Sequence, residues 1–364
     1  MKIVYDQNMV VDDAIVNENI VWYDVSEGIF DVYGFDAKDG NLLSQRIPMD
    51  IAETVNKGVL RQGGQAAGGR VRFFTNSMTI AYRVEFAEAN RSTCLSACAT
   101  YGFDLYTSDE TGKETFIHAF RPTENELSHC TFVSVCDRSK SWDKEKASKG
   151  MFYTMNMPCF AEISKLYIGL DKDCILRAGK QYINSKPAVF YGSSITHGAA
   201  ACRPGNTYEA LISQKYNLNY VNLGFAGHAL GEQTMAQYIA GREMSVFICD
   251  YDHNASTDRL RQTHYPFYEI IREKHPDIPY IMISKPDFRS DPKANGVRRS
   301  VIKTSYEKAK ENGDKKVYFI DGETLFEGDF CMSCTIDGVH PNDLGFYRMA
   351  QVIGKVVAEA MGLE

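Results

Sequence analysis

PAVFYGSSITHGAA, residues 187–200, is the stretch on which the reading of this chain turns. An apolar run closes on Gly192, two serines follow, and a second glycine and small residues come after. A short apolar run bounded by turn residues reads as a buried strand. Gly192-Ser193-Ser194 is then either an ordinary strand-to-loop turn or a nucleophile set at the end of a strand.

The segments downstream favour a repeating strand–helix pattern. Apolar strands are AVFYG (188–192), YVNLG (220–224), SVFIC (245–249), YIMIS (280–284) and KVYFID (316–321). Helical segments lie between and after them, over 206–216, 231–241, 258–275, about 293–312 and 341–362. The last, containing LGFYRMAQVIGKVVAEAM, has apolar residues at three-to-four spacing. Five strand–helix units in succession predict a parallel sheet covered by helices on both faces. In such sheets the reactive crevice lies at the carboxyl ends of the strands.

Upstream of about residue 180 the pattern differs. IVWYDV (20–25), RVRFFTN (70–76), MTIAYRVEF (78–86), GFDLYTSD (102–109), ETFIHAF (114–120) and CTFVSV (130–135) are short, alternating or aromatic runs between turn clusters. They predict an antiparallel sandwich with no helical stripe, ending in AEISKLYIGL (161–170). The expected division is a β-sandwich over 1–180 and an α/β domain over 181–364. No internal repeat or low-complexity tract is present.

Composition excludes several classes. The 364 residues are 44% hydrophobic and 24% charged, with a net charge of -7; nucleic-acid binding needs clustered Lys and Arg instead. No apolar run approaches the roughly 20 residues that span a bilayer. The opening MKIVYDQNMVVDDAIV lacks the apolar core of a secretion leader, so the expected compartment is the cytoplasm. There the ten cysteines are expected to be reduced and mostly buried.

The strand ends, taken in order, collect Ser193-Ser194, the glycine turn NLGFAGHA (222–229), CDYDHNAS (249–256) and TIDGVHPND (335–343). These are the parts that acyl transfer requires. A serine hydroxyl needs an adjacent base, a histidine supplies one near neutral pH, and an Asp three residues earlier can orient its ring. Backbone N–H groups and an Asn amide can stabilise the oxyanion. Each part also has a plainer reading. Ser194 can be a turn serine. Asp337 and His340 can belong to a helix cap before Pro341, although Asn342 or Asp343 can cap instead. Asn254 can be a loop residue, and Gly227 can serve only to allow positive φ.

Four blocks resemble the SGNH, or GDSL-type, hydrolases. GSSIT (192–196) is similar to their first block, NLGFAG (222–227) to the second, DYDHN (250–254) to the third and DGVHPN (337–342) to the Asp–x–x–His block. The resemblance implies a three-layer α/β/α, flavodoxin-like domain with a five-stranded parallel sheet. It implies Ser194 as nucleophile, with His340 and Asp337 as its base and orienter. The Ser194 N–H, the Gly227 N–H and Asn254 become the oxyanion donors, and no cofactor is needed. GFDLY (102–106) resembles the signature of a β-rich, jelly-roll-like domain found before such hydrolases. Two departures stand out: Ser193 replaces the Asp of Gly–Asp–Ser, and HNAS replaces Gly–x–Asn–Asp.

The resemblance further implies an esterase acting on a small-molecule or oligosaccharide ester, most simply a carbohydrate O-acetylesterase. The alternatives are a lipase or thioesterase for longer acyl chains and a carbohydrate-binding protein with a silent hydrolase domain. Oligomeric state is not readable. Tyr101, Phe103 and Trp142 are candidates for a sugar platform, but core filling is the preferred reading. Asp250, Asp252, His253 and His228 fit no zinc spacing. Cys331 and Cys334 form a lone C-x-x-C; CLSAC (94–98) is one residue too long to pair with it. GLDKDC (169–174) lacks calcium-loop spacing. QGGQAAGG (62–69) follows no strand-to-helix pattern, so it reads as a sandwich loop rather than a phosphate loop.

Overall fold

The structure is a computed structural model that describes residues 19–36, 43, 45–89, 94–122 and 131–363. The opening stretch read above for a leader, and Cys130, lie outside the described residues. In chain order the elements begin with β1 (Ile20–Asp24), β2 (Asp31–Tyr33), α1 (Met49–Val55), α2 (Lys57–Gln62), β3 (Arg70–Thr75) and β4 (Thr79–Ala89). Then come α3 (Ala97–Thr100), β5 (Phe103–Ser108), β6 (Glu114–Phe120), β7 (Thr131–Asp137), α4 (Lys144–Ala147), β8 (Met151–Asn156), β9 (Ala161–Asp171) and β10 (Leu176–Ala178). These strands build two antiparallel sheets. One has the order β1-β9-β4-β7; the other runs β10-β3-β8-β5-β6, with β2 pairing beside β3. Alternate residues meet between the sheets, including Phe73, Tyr82, Val84, Phe103, Leu105, Tyr153 and Ile168.

The second half holds β11 (Ala188–Gly192), α5 (Ser194–His197), α6 (Tyr208–Tyr216), β12 (Tyr220–Gly224), α7 (Gln233–Ala240), β13 (Val246–Asp250) and α8 (Thr257–Lys274). β14 (Tyr280–Ile283), α9 (Pro292–Glu311), β15 (Val317–Ile320) and α10 (Asp343–Met361) follow. The sheet is parallel throughout, in the order β12-β11-β13-β14-β15. β11, β12 and β13 are buried at every position, which is why they read as continuous apolar runs rather than alternations. Alternate side chains feed two cores. Val189, Tyr191, Phe247 and Met282 pack with α7, α8 and α9; Ala188, Phe190, Ile248 and Ile281 pack with α6 and α10. The result is the three-layer α/β/α arrangement behind an all-β sandwich.

Three features differ from the sequence reading. β2, β8 and β10 were not anticipated. The QGGQAAGG stretch begins at the end of a helix, Gln62 being the last residue of α2. α1 and α2, of seven and six residues, are too short for a helical stripe to stand out; Ala52 and Val59, with Ile47 just before and Ile51, Val55 and Leu60 half-buried beside them, pack into the α7–α9 side of the parallel sheet. Tyr101 and Phe103 are core residues, whereas Trp142 is 76% exposed. Of the nine described cysteines, all free, four are buried and Cys94 and Cys202 are exposed. Among the described residues, no helix is long and apolar enough to cross a membrane.

The GFDLY motif acquires a physical meaning here. Asp104 is fully buried and accepts from Asn156 Nδ2 at 2.9 Å, the Gly205 N–H at 2.8 Å and Arg203 Nη1 at 3.0 Å. Tyr106 OH meets the same guanidinium. Strand β5 is thereby tied to the segment that leads into α6. Burial raises the Asp104 carboxyl from its ordinary range, and Arg203 opposes that rise. Removing one partner of a buried pair leaves the other uncompensated. Asp104→Ala is expected to lower the unfolding free energy by about 3 kcal/mol, since Arg203 keeps partial access to solvent. The check is a urea midpoint shift at unchanged m-value; an unshifted midpoint would remove this tether from the account.

Candidate active site

Ser193 and Ser194 are separated by burial. Ser193 is fully buried and caps α5, its Oγ accepting from the Ile195 N–H at 3.2 Å. Ser194 is the first helical residue and is partly exposed. Its Oγ lies 2.9 Å from His340 Nε2. On the other side of that ring, Nδ1 lies 2.7 Å from Asp337 Oδ2. A carboxylate only accepts, so Nδ1 carries the proton and Nε2 is left to accept from the serine hydroxyl. Asp337 Oδ1 accepts the N–H groups of Val339 and His340 at 3.0 and 2.8 Å. Burial opposes ionisation of Asp337, but the His340 ring and these N–H groups outweigh it and draw the carboxyl down to about 2. The capping reading of this loop falls to another residue: Asn342 Oδ1 accepts from the Gly345 N–H at the start of α10.

The two loops beside Ser194 follow the strands that flank β11. After β12 the chain turns through Phe225–His228, with Gly227 at φ +75° in the left-handed region that favours glycine. A Cβ at that position would meet nothing within 4 Å, so the requirement is conformational rather than steric. After β13, Asn254 Oδ1 accepts from the Ala229 N–H at 3.3 Å, which couples the two loops. Asn254 thus has Nδ2 left as its donor end.

The four residues weighed as a metal cluster diverge. Asp250 Oδ2 accepts from Thr196 Oγ1 and Tyr208 OH, both at 3.2 Å, and burial pushes its carboxyl up to about 7. Asp252 binds Arg298 Nε at 2.8 Å and the Lys285 N–H at 3.0 Å. His253 Nε2 lies 3.3 Å from Asp287 Oδ1, and burial pushes that imidazole down to about 3. The ring of His228 packs beside Gly58. Among the described residues, no group of three or more His, Cys, Asp or Glu is arranged to hold a metal.

His197 was not singled out from sequence, although it lies three residues after Ser194. It is fully buried and stacked on Phe160, with centroids 4.2 Å apart. Nε2–H donates to the Cys159 carbonyl at 2.9 Å, and Nδ1 accepts from the Ala226 N–H at 3.4 Å. Burial, with Arg46 adding to it, holds its pKa well below the ordinary range. The neutral ring therefore links the sandwich, α5 and the glycine turn.

Beside the Asp337–His340 loop lies a cavity of about 290 Å³ lined by Phe326, Met332, Ile336, Arg289, Asp287 and Gly338, among others. Its lining mixes apolar side chains with charged ones.

Comparison with known proteins bears on the family and the fold. Residues 185–358 match the GDSL-like lipase/acylhydrolase family, and residues 20–176 match the family described as the N-terminus of SGNH-hydrolase-type esterases. No curated protein matches the chain. Among solved structures, a Bacteroides ovatus protein described as a GDSL-like lipase is 26% identical, with a TM-score of 0.84 over 95% of this chain and 99% of its own. A salicylyl-acyltransferase from a tetracycline biosynthetic pathway is 18% identical (TM-score 0.70, covering 94% and 98%). An acetyl xylan esterase of the rumen bacterium Butyrivibrio proteoclasticus is 14% identical (TM-score 0.57, covering 94% and 99%) and shares the fold. Residues 185–358 are thus a GDSL-like lipase/acylhydrolase domain of SGNH type, preceded over residues 20–176 by the unit described as the N-terminus of SGNH-hydrolase-type esterases.

Proposed function

We propose that this protein is a carbohydrate O-acetylesterase that works through an acyl-enzyme at Ser194. The observation that carries the reading is the continuous chain Ser194 Oγ–His340 Nε2 at 2.9 Å and His340 Nδ1–Asp337 Oδ2 at 2.7 Å. In this reading Ser194 Oγ attacks the ester carbonyl as His340 takes its proton. The tetrahedral oxyanion is held by the N–H groups of Ser194 and Gly227 and by Asn254 Nδ2. His340 then protonates the leaving alcohol, and acyl-Ser194 remains. A water deprotonated by His340 attacks it, and acetate leaves as Ser194 recovers its proton. Asp337 keeps the ring in the required tautomer and stabilises the imidazolium in both steps. The mechanism uses no metal or cofactor. The sandwich unit, drawn as residues 1–180, and the hydrolase unit, 181–364, divide support from chemistry.

The substrate class has separate support. A β unit ahead of the hydrolase fold is the architecture of the acetyl xylan esterase above, and a related Clostridium thermocellum carbohydrate esterase was solved with cellohexaose (TM-score 0.57, 12% identity, covering 82% of this chain and 94% of its own). An oligosaccharide ester is the proposed partner and the cytoplasm the proposed compartment. The mixed cavity beside Ile336 favours a second reading, hydrolysis of longer acyl chains. A chain-length series of p-nitrophenyl esters separates the two. The first reading expects the highest kcat/KM on acetate and acetate release from acetylated oligosaccharides; a maximum at hexanoate or longer would select the second.

The serine pair gives a sharper check. Ser194→Ala is expected to cut kcat by roughly 10³-fold or more. Ser193→Ala removes a helix cap instead, costing about 1 kcal/mol of stability while leaving most of kcat. The reverse order of effects would move the nucleophile by one residue.

The pH profile tests the relay. Activity carried by an imidazole that must be neutral has an acid limb. Asp337, drawn down to about 2, is ionised far below neutral pH and contributes no limb of its own there. Its negative charge favours the protonated ring, so Asp337→Asn is expected to move the acid limb to lower pH and reduce the plateau. A limb that moved to higher pH in this variant would contradict the relay.

A further inference from the structure

We propose that α2 of the β unit sets the oxyanion donors of the hydrolase unit: Gln62 is a positioning residue for the Gly227 N–H and Asn56 one for Asn254. The inference rests on the esterase reading above, in which Gly227 and Asn254 are the donors.

The argument follows the peptide planes after β12. In a trans peptide the C=O and the next N–H point in opposite directions, and no described peptide is cis. The Gly224 carbonyl takes Arg46 Nη1 at 2.9 Å, and the N–H of the same plane, on Phe225, gives to the Gly192 carbonyl at 2.9 Å. The Phe225 carbonyl takes the His228 N–H at 2.9 Å, and the Ala226 N–H gives to His197 Nδ1. In the third plane the Ala226 carbonyl takes Gln62 Nε2 at 2.9 Å. The opposite end of that plane is the Gly227 N–H, which has no protein acceptor among the described residues, at an exposed position facing open space. Gln62 thus fixes where that N–H points. Its donation also polarises the peptide and strengthens the N–H as a donor. Two planes further on, the His228 carbonyl takes Asn56 Nδ2 at 3.1 Å, and the Ala229 N–H gives to Asn254 Oδ1. That bond uses Oδ1 of Asn254 and leaves Nδ2 as its donor end.

The helix carrying these amides is docked firmly. Asn56 Oδ1 caps it through the Gly58 and Val59 N–H groups at 2.9 Å. Arg46 Nη2 holds the Gln62 carbonyl at 2.8 Å, and Val59 is fully buried in the hydrolase core. A Cβ on Gly58 would fall 1.9 Å from the His228 ring, so only glycine lets the helix approach this closely. Donors fixed before substrate arrives stabilise charge without reorganising during the reaction.

Asn56 doubles as a helix cap, so Gln62 is the cleaner probe. Gln62→Met keeps the length and removes the donor. Its kcat on an acetyl ester is expected to fall about 10-fold to 100-fold, below the ~10²–10³ typical of deleting a donor outright. KM should stay within about threefold, because the donor is used mainly in the transition state. Affinity for an alkylboronic acid, whose tetrahedral adduct mimics the oxyanion, should fall by a similar factor. Gln62→Glu, which turns an acceptor toward the Ala226 carbonyl, should lose at least as much at pH 8 and serves if the Met variant does not fold. Gln65→Met is the packing control: Gln65 is 4% exposed in the same stretch, and its side chain makes no hydrogen bond to residues 224–229 among those described. Gln62 variants with kcat and boronate affinity within about twofold of wild type, or a Gln65 variant that loses as much, would overturn the proposal. Full turnover and boronate binding by Ser194→Ala would instead overturn the esterase reading, whatever Gln62 does.

Discussion

One hydrogen bond, from Ser194 to His340 across 146 positions of sequence, is the contact on which the rest of the site depends. Neither residue is held by its own local structure alone. Ser194 opens a four-residue helix too short to persist by itself. His340 sits in a loop closed by the Thr335–Pro341 bridge and the Ile336 N–H to His340 carbonyl bond. The parallel sheet brings them together. With strand order β12-β11-β13, the chain leaves β11 at the point where order reverses, and the loops after its two neighbours open on either side. Ser194, Gly227 and Asn254 thus follow three adjacent strands, and the loop before α10 closes the arrangement from the far edge.

The β unit is joined to this edge through polar contacts with backbone. Arg46 is fully buried, and its guanidinium donates to the carbonyls of Gln62, Gln65, Asn222 and Gly224, with Phe225 beneath it at 5.0 Å. His197 reaches the Cys159 carbonyl, and Asp104 gathers Arg203 and Gly205. Burying these groups costs desolvation unless each is satisfied, so the two units constrain one another's loops at the interface. A catalytic loop held this way needs less of its own rigidity, which fits the bare sequence FAGHA after β12.

What the sequence made legible was what is contiguous. The five apolar strands read clearly because each is buried on both faces, and the four blocks read clearly because each packs its chemistry into a few residues. α1 and α2 were invisible for the opposite reason: helices of seven and six residues are too short to show a period, and the core that Ile51, Ala52, Val55, Val59 and Leu60 meet belongs to the other unit. Asn56 and Gln62 left no motif because their partners, the His228 and Ala226 carbonyls, are backbone atoms that any sequence supplies. The serine that replaces Asp in the first block becomes intelligible only with the structure, where Ser193 is a buried cap. The thiols expected to be buried divide between core and surface, since Cys94 and Cys202 lie in loops where the two units meet solvent.

The most direct test of the account is the site of modification by a fluorophosphonate. Such a reagent phosphonylates a serine whose hydroxyl is deprotonated by a neighbouring base, and a tetrahedral adduct of this kind occupies the same donors as the oxyanion. Mass mapping of the inactivated protein should give one adduct per chain, on Ser194, and none when His340 is replaced by Ala. An adduct on Ser193, stoichiometric labelling that survives loss of His340, or full activity after complete reaction at Ser194 would contradict it.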